Sequence, residues 1–131
     1  MEIYGLSGKS GTGKSYQAIT LCRERDFDAI IDDGLFICDS RVVAGKSAKR
    51  QATKIGAVKT ALFNDEEHCR QVADAIETMN PEKMLVLGTS VEMIQKICKR
   101  LGLPEPENII YIEDITTEEE RKMAHHQRHD L

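Results

Sequence analysis

Glu2-Ile3-Tyr4-Gly5-Leu6-Ser7-Gly8-Lys9-Ser10-Gly11-Thr12-Gly13-Lys14-Ser15 lies at the start of the chain and decides its architecture. Residues 2–7 read as a short strand. Gly8, Gly11 and Gly13 then interrupt any regular structure. From Lys14 to about Arg25 the pattern is helical, with Ala18, Ile19, Leu21 and Cys22 on one side. A strand, a glycine-rich turn and a helix form the first unit of an α/β fold.

The alternation continues outward from that unit. Asp28-Ala29-Ile30-Ile31-Asp32 reads as a second strand, and Asp32-Asp33-Gly34 turns the chain. Residues 35–38 and 41–43 can form a small hairpin around Asp39-Ser40. Residues 44–53 are small, polar and basic, and read as a loop. Ile55, Val58, Ala61 and Leu62 have helical spacing. Asn64-Asp65-Glu66-Glu67 has the pattern of a new helix start, followed by a stripe of Cys69, Val72, Ala73, Ile76 and Met79. Asn80-Pro81 ends it. Residues 83–87 are almost continuously apolar, as buried parallel strands are. After Gly88, Thr89-Ser90-Val91-Glu92 reads as a capping box with Thr89 as the cap. The helix that follows shows Val91, Ile94, Ile97, Cys98 and Leu101 on one face, and Gly102 and Pro104 end it. Residues 108–113 form a fourth strand, and residues 116–120 open a last helix. The expected fold is one α/β domain over residues 1–131. Its sheet is doubly wound and mainly parallel, with about four strands, helices on both faces and the glycine loop after strand one.

The loop has a specific chemistry. Gly8 to Ser15 fits G-x-x-x-x-G-K-[ST], a match that chance gives in about 0.5% of chains this long. Backbone N–H groups of such a loop can converge on phosphate oxygens, and the following helix adds its positive end. Gly8, Lys9, Ser10, Gly11, Thr12 and Gly13 would wrap the phosphates. Lys14 would reach the β- and γ-phosphates, and Ser15 would hold Mg²⁺ through its hydroxyl. On these residues the chain resembles the P-loop NTPase superfamily, whose loop is the Walker A motif. The resemblance covers roughly the first 25 residues. It implies a nucleoside triphosphate and Mg²⁺ as cofactors. ATP is favoured because no N-K-x-D guanine motif is present.

Such proteins need an acid near the metal, at the end of an apolar strand, and a group to activate the attacking oxygen. Asp32 and Asp33 follow Ala29-Ile30-Ile31, and Glu113 and Asp114 follow Ile109-Ile110-Tyr111-Ile112. Strand carboxyl ends face the ligand crevice in these sheets, so both pairs are candidates. Asp32, whose strand comes first after the loop helix, is the preferred Mg²⁺ ligand, and Asp33 its catalytic companion. Thr89 can hydrogen-bond water or the γ-phosphate.

Between Ser40 and Asn64 there is no acid, but there are Arg41, Lys46, Lys49, Arg50, Lys54 and Lys59. Chance gives a given window of that length about 1% of the time. The segment reads as a lid over the triphosphate, with Lys49 and Arg50 foremost, as a contact for an anionic partner, or as a solvated loop. Lys9 stands where the MinD-like deviant Walker A group carries an extra lysine, although Ser10 replaces that group's glycine. The likeness implies a homodimer in which Lys9 reaches the partner's nucleotide. His125 and His129 have the i, i+4 spacing of a metal pair, with His126 beside them, but no Cys or catalytic Glu joins them; they read as a solvated tail.

Composition fits a soluble globular protein, at 40% hydrophobic and 31% charged. The net charge of −4 argues against a nucleic-acid coat, leaving only a local patch. No apolar run approaches the roughly 20 residues of a membrane span. Cys22, Cys38, Cys69 and Cys98 are dispersed, without C-x-x-C, and read as reduced core residues. With no signal pattern, a cytoplasmic location is expected. The last residues are so polar, and four strands so few, that the chain is expected to be the N-terminal part of a longer protein or to need a partner there.

Three functions follow. The first is an Mg-dependent ATPase. The second is a small-molecule kinase, because Gly8, Gly11, Gly13, Lys14 and Ser15 also fit the G-x-x-G-x-G-K-[ST] of small P-loop kinases, with Asp32 and Asp33 at the acceptor. The third is a nucleotide-responsive binding module with little turnover, acting on a protein or nucleic-acid partner.

Overall fold

The computed structural model describes residues 1–116 and Met123. Six strands make one mixed sheet: β1 (Glu2–Ser7), β2 (Ala29–Asp32), β3 (Leu35–Cys38), β4 (Arg41–Gly45), β5 (Lys83–Gly88) and β6 (Asn108–Tyr111), in the order β4-β3-β2-β5-β1-β6. Between them lie α1 (Lys14–Arg25), α2 (Lys54–Ala61), α3 (Glu66–Met79), α4 (Val91–Arg100) and α5 (Ile112–Ile115).

The four expected strands are present and parallel to one another, β2 and β1 each on β5, and β6 on β1. The sheet is not limited to them. The hairpin adds β3 antiparallel to β2 and β4 antiparallel to β3. The reason lies in two turns. Asp33 (φ 50°) and Gly34 (φ 89°) join β2 to β3, and Asp39 (φ 51°) and Ser40 (φ 65°) join β3 to β4. Two central residues with positive φ suit the right-handed twist of a tight hairpin. Each turn therefore returns the chain beside the strand it has just left, and the open edge of β2 gains hydrogen-bonded partners.

Alternation along the strands divides the core into two layers. Ile3, Ile31, Phe36, Met84 and Val86 pack with Val72 and Ile76 of α3 and with Ile94 and Ile97 of α4. Leu6, Ile30, Leu85, Leu87 and Ile110 pack with Ala18 and Leu21 of α1. Apolar spacing placed these stripes correctly but overextended three of them. Ile19 of α1, Ile55 and Val58 of α2 and Met79 of α3 are exposed.

Local boundaries also differ from the sequence reading. Ala44 and Gly45 belong to β4, and Ala48–Arg50 form one 3-10 turn within the supposed loop. Ser90, not Thr89, caps α4, its hydroxyl accepting from Met93 N–H. The helix start expected at residues 64–67 is present, with Asp65 as the cap of α3. The fourth strand ends at Tyr111, where the chain coils directly into α5. The helix expected from residue 116 falls almost wholly outside the described residues, as do His125, His126 and His129. All four cysteines are free; Cys38 and Cys98 are buried, Cys22 and Cys69 only half so. Among the described residues no helix is long and apolar enough to cross a membrane.

Candidate functional site

The parallel strands β1, β5 and β2 end together at Ser7, Gly88 and Asp32. The loop leaves β1 there, tied to its neighbour by Gly8 N–H donating to the Gly88 carbonyl at 3.1 Å. Gly11 (φ 79°) and Gly13 (φ 86°) take left-handed backbone that a Cβ would strain. Gly13 is also the residue before α1, and it offers no capping side chain. The first turn of α1 holds no acid either, so nothing on that turn offsets the positive helix end.

The loop is closed on itself by side chains. Thr12 Oγ1 donates to the Lys9 carbonyl at 2.6 Å. Lys14 Nζ donates to the Gly8 carbonyl at 2.6 Å and to the Lys9 carbonyl at 3.0 Å. The ammonium is thereby held over the loop, and an anion arriving there would exchange neutral carbonyl partners for charged oxygens, which form the stronger bonds. The Lys9 side chain is exposed.

Beside the lysine stands the acid. Ser15 Oγ donates to Asp32 Oδ2 at 2.7 Å. Burial pushes the Asp32 carboxyl above the usual carboxylate range; the Ser15 hydrogen bond opposes that shift and the neighbouring Asp33 charge adds to it. Lys49 and Lys14 pull weakly the other way. Asp33 faces the 3-10 turn, its Oδ2 3.6 Å from Lys49 Nζ. The turn that carries Asp33 is anchored from below. Buried His68 of α3 places Nε2 2.7 Å from the Gly34 carbonyl oxygen and stacks on Phe63.

These groups surround a cavity of about 270 Å³. Ser10, Gly11, Gly13, Lys14 and Ser15 line it together with Asp32, Asp33, Lys49 and Thr89. Most residues picked from the sequence thus meet here. Arg50 does not: it is exposed on the turn and lines none of this cavity. Glu113 and Asp114 do not either. They sit on α5, both exposed, while the preceding Ile112 is fully buried. A Cβ added to Gly8 would come within 2.5 Å of Ile112 Cγ2, so that isoleucine packs directly under the loop.

Sequence reasoning missed Tyr16, Leu87, Gly88 and Met93, which complete the cavity wall. Gly88 was readable as a strand end, and Met93 only through the fold. A larger cleft of about 710 Å³ adjoins the cavity and runs between the 3-10 turn, α2 and the start of α4.

Ser15 and Asp32 together offer two hard oxygen donors of the kind Mg²⁺ takes alongside phosphate oxygens and water. Among the described residues no three His, Cys, Asp or Glu side chains gather as a metal cluster. Comparison with protein-family models, with curated proteins and with solved structures finds no match.

Proposed function

We propose that the chain binds a magnesium nucleoside triphosphate, ATP by preference, at the loop from Gly8 to Ser15, and hydrolyses it. One observation carries this reading. The hydroxyl of Ser15, directly after Lys14, meets an acid at the end of the next parallel strand, at 2.7 Å. Residues 17 positions apart in sequence are joined only if the strand ends converge on the loop, and a metal–phosphate site needs that convergence.

Each residue then has a task. The loop amides and the start of α1 receive the phosphates. Lys14 leaves the loop carbonyls for the β- and γ-oxygens and draws off charge as the terminal phosphoryl departs. Ser15 and Asp32 hold the metal side of the triphosphate. Bound with the nucleotide, Mg²⁺ supplies neutralisation of the β- and γ-oxygens. Asp33 lines the same cavity and accepts the hydrogen bond that orients the attacking water. Lys49 steadies Asp33 and brings a second positive charge to the γ end. Thr89 lines the same cavity and offers its hydroxyl there.

Phosphate release from Mg·ATP tests the reading. Steady release is expected from the wild type, with a loss of about a hundredfold or more in Lys14→Ala. No release by wild-type protein, or release that Lys14→Ala leaves intact, overturns hydrolysis at this loop.

A further inference from the structure

We infer that the cleft beside the loop cavity binds a second small molecule, an amphipathic anion, seated on the γ-phosphate side of the nucleotide. Its orientation rests on the nucleotide reading above; its chemistry rests on the lining residues alone.

The cleft, at about 710 Å³, has the size of a small-molecule site. It shares Ser10, Asp33, Lys49, Thr89 and Met93 with the loop cavity, so the two open into each other. On the nucleotide reading, the Ser15–Asp32 pair would hold the metal side of the triphosphate. Asp33, the next residue, belongs to both spaces. The cleft therefore begins where the triphosphate ends.

Its walls are of two kinds. Ala57, Ala61, Leu62 and Met93 make an apolar side. Val58 continues it, and this explains why an apolar residue of α2 stands exposed: it borders the cleft rather than the core. The polar rim carries Lys49, Lys54 and Lys96 against Asp33 and Glu92. Both acids are already engaged, Asp33 with Lys49 at 3.6 Å and Glu92 with Lys96 at 3.3 Å. Lys54 is left with no ion-pair partner among the described residues, so the rim has a surplus positive charge. A purely polar ion would leave the apolar wall wet, and a neutral apolar molecule would leave Lys54 unanswered. A ligand with an apolar body and one anionic group satisfies both.

The probe is 8-anilinonaphthalene-1-sulfonate, which has that composition, titrated by fluorescence into the full chain. Saturable binding of one dye per chain is expected. Lys54→Glu and Ala57→Phe should each weaken it about tenfold or more, one by reversing the rim charge and one by filling the wall. Lys59→Glu, on the same helix but outside the cleft, should change it less than twofold. Lys54 is exposed, so its variant keeps the test open even if Ala57→Phe fails to fold. The dye should still bind when the loop is saturated with Mg·adenylyl-imidodiphosphate. Dye binding indifferent to Lys54→Glu overturns the site. Competitive displacement by the nucleotide analogue assigns the cleft to the nucleoside and overturns the proposal equally. A protein that takes the dye in this cleft but binds no nucleotide overturns the nucleotide reading and leaves the anion site standing.

Discussion

Asp32-Asp33 and Glu113-Asp114 each stand at or just beyond the end of an apolar strand of the same mixed sheet, yet only the first pair meets the glycine loop. After β2 the chain makes a two-residue turn with Asp33 at φ 50°, so both acids stay at the strand end. Asp32 then contacts Ser15, and Asp33 contacts Lys49. After β6 the chain enters α5 at once. Ile112 turns inward beneath Gly8, and Glu113 and Asp114 are carried outward. An acid at a strand end is thus placed by the turn that follows as much as by the strand that precedes it. One exit builds the front of the site, and the other supports the loop from below.

The largest expected effect compares the two pairs directly. Asp32→Asn should lower Mg·ATP turnover about ten- to hundredfold, the cost of one charge-assisted contact at the metal. The double variant Glu113→Gln/Asp114→Asn should stay within twofold of wild type. Equal losses in steady-state phosphate release would remove the distinction. Next in size is the supporting role of Ile112. Gly8→Ala should destabilise the protein by about 1–3 kcal/mol in urea unfolding, because its Cβ overlaps a fully buried side chain. An unchanged midpoint would show that Ile112 does not pack under the loop.

A smaller effect follows from the burial of Asp32. Its carboxyl is raised in the folded state, chiefly by desolvation. Between the ordinary carboxylate value and that raised one, the native protein binds more protons than the unfolded chain, so stability falls as pH rises through this window. The cost is complete above the raised value and absent below the ordinary one. Asp32→Asn should therefore raise the melting temperature at pH 7, and the gain should vanish on acidification through the same window. A variant less stable than wild type at pH 7 would contradict this. Smallest of all, Lys49→Ala should change stability by less than about 1 kcal/mol, since its pair with Asp33 lies partly in solvent. It should still raise the KM for Mg·ATP several-fold, while Arg50→Ala leaves it unchanged. Matching effects in the two variants would make the basic turn a general charge rather than a directed one.

Much of this was legible because it is encoded locally. The positive φ of Gly11 and Gly13 is written in their lack of a Cβ, and the stripe Ile94, Ile97, Cys98, Leu101 reads directly as the buried side of α4. What escaped was set by partners distant in sequence. The return of β3 onto β2 was nevertheless signalled: Asp33-Gly34 between apolar runs is a tight-hairpin pair, and it reads only as a turn unless its positive φ is considered. The exposure of Val58 carried no signal, because apolar spacing on a helix does not distinguish a core face from a cleft face. The choice between the two acid pairs was signalled only by strand order, Asp32 lying on the first strand after α1; that Glu113 and Asp114 turn outward depends on the fate of Ile112. The anchoring of Gly34 by His68 joins residues 34 positions apart and has no local trace.

The central claim is that Lys14, Ser15 and Asp32 form one metal–triphosphate site, and calorimetric titration of ATP tests it most directly. Wild type, Lys14→Ala and Asp32→Asn would each be titrated with and without Mg²⁺. The account predicts wild-type binding strengthened by Mg²⁺, binding lost in Lys14→Ala, and binding in Asp32→Asn that no longer responds to the metal. Wild-type protein that takes no ATP, or an Asp32→Asn variant that keeps the full Mg²⁺ response, would contradict it.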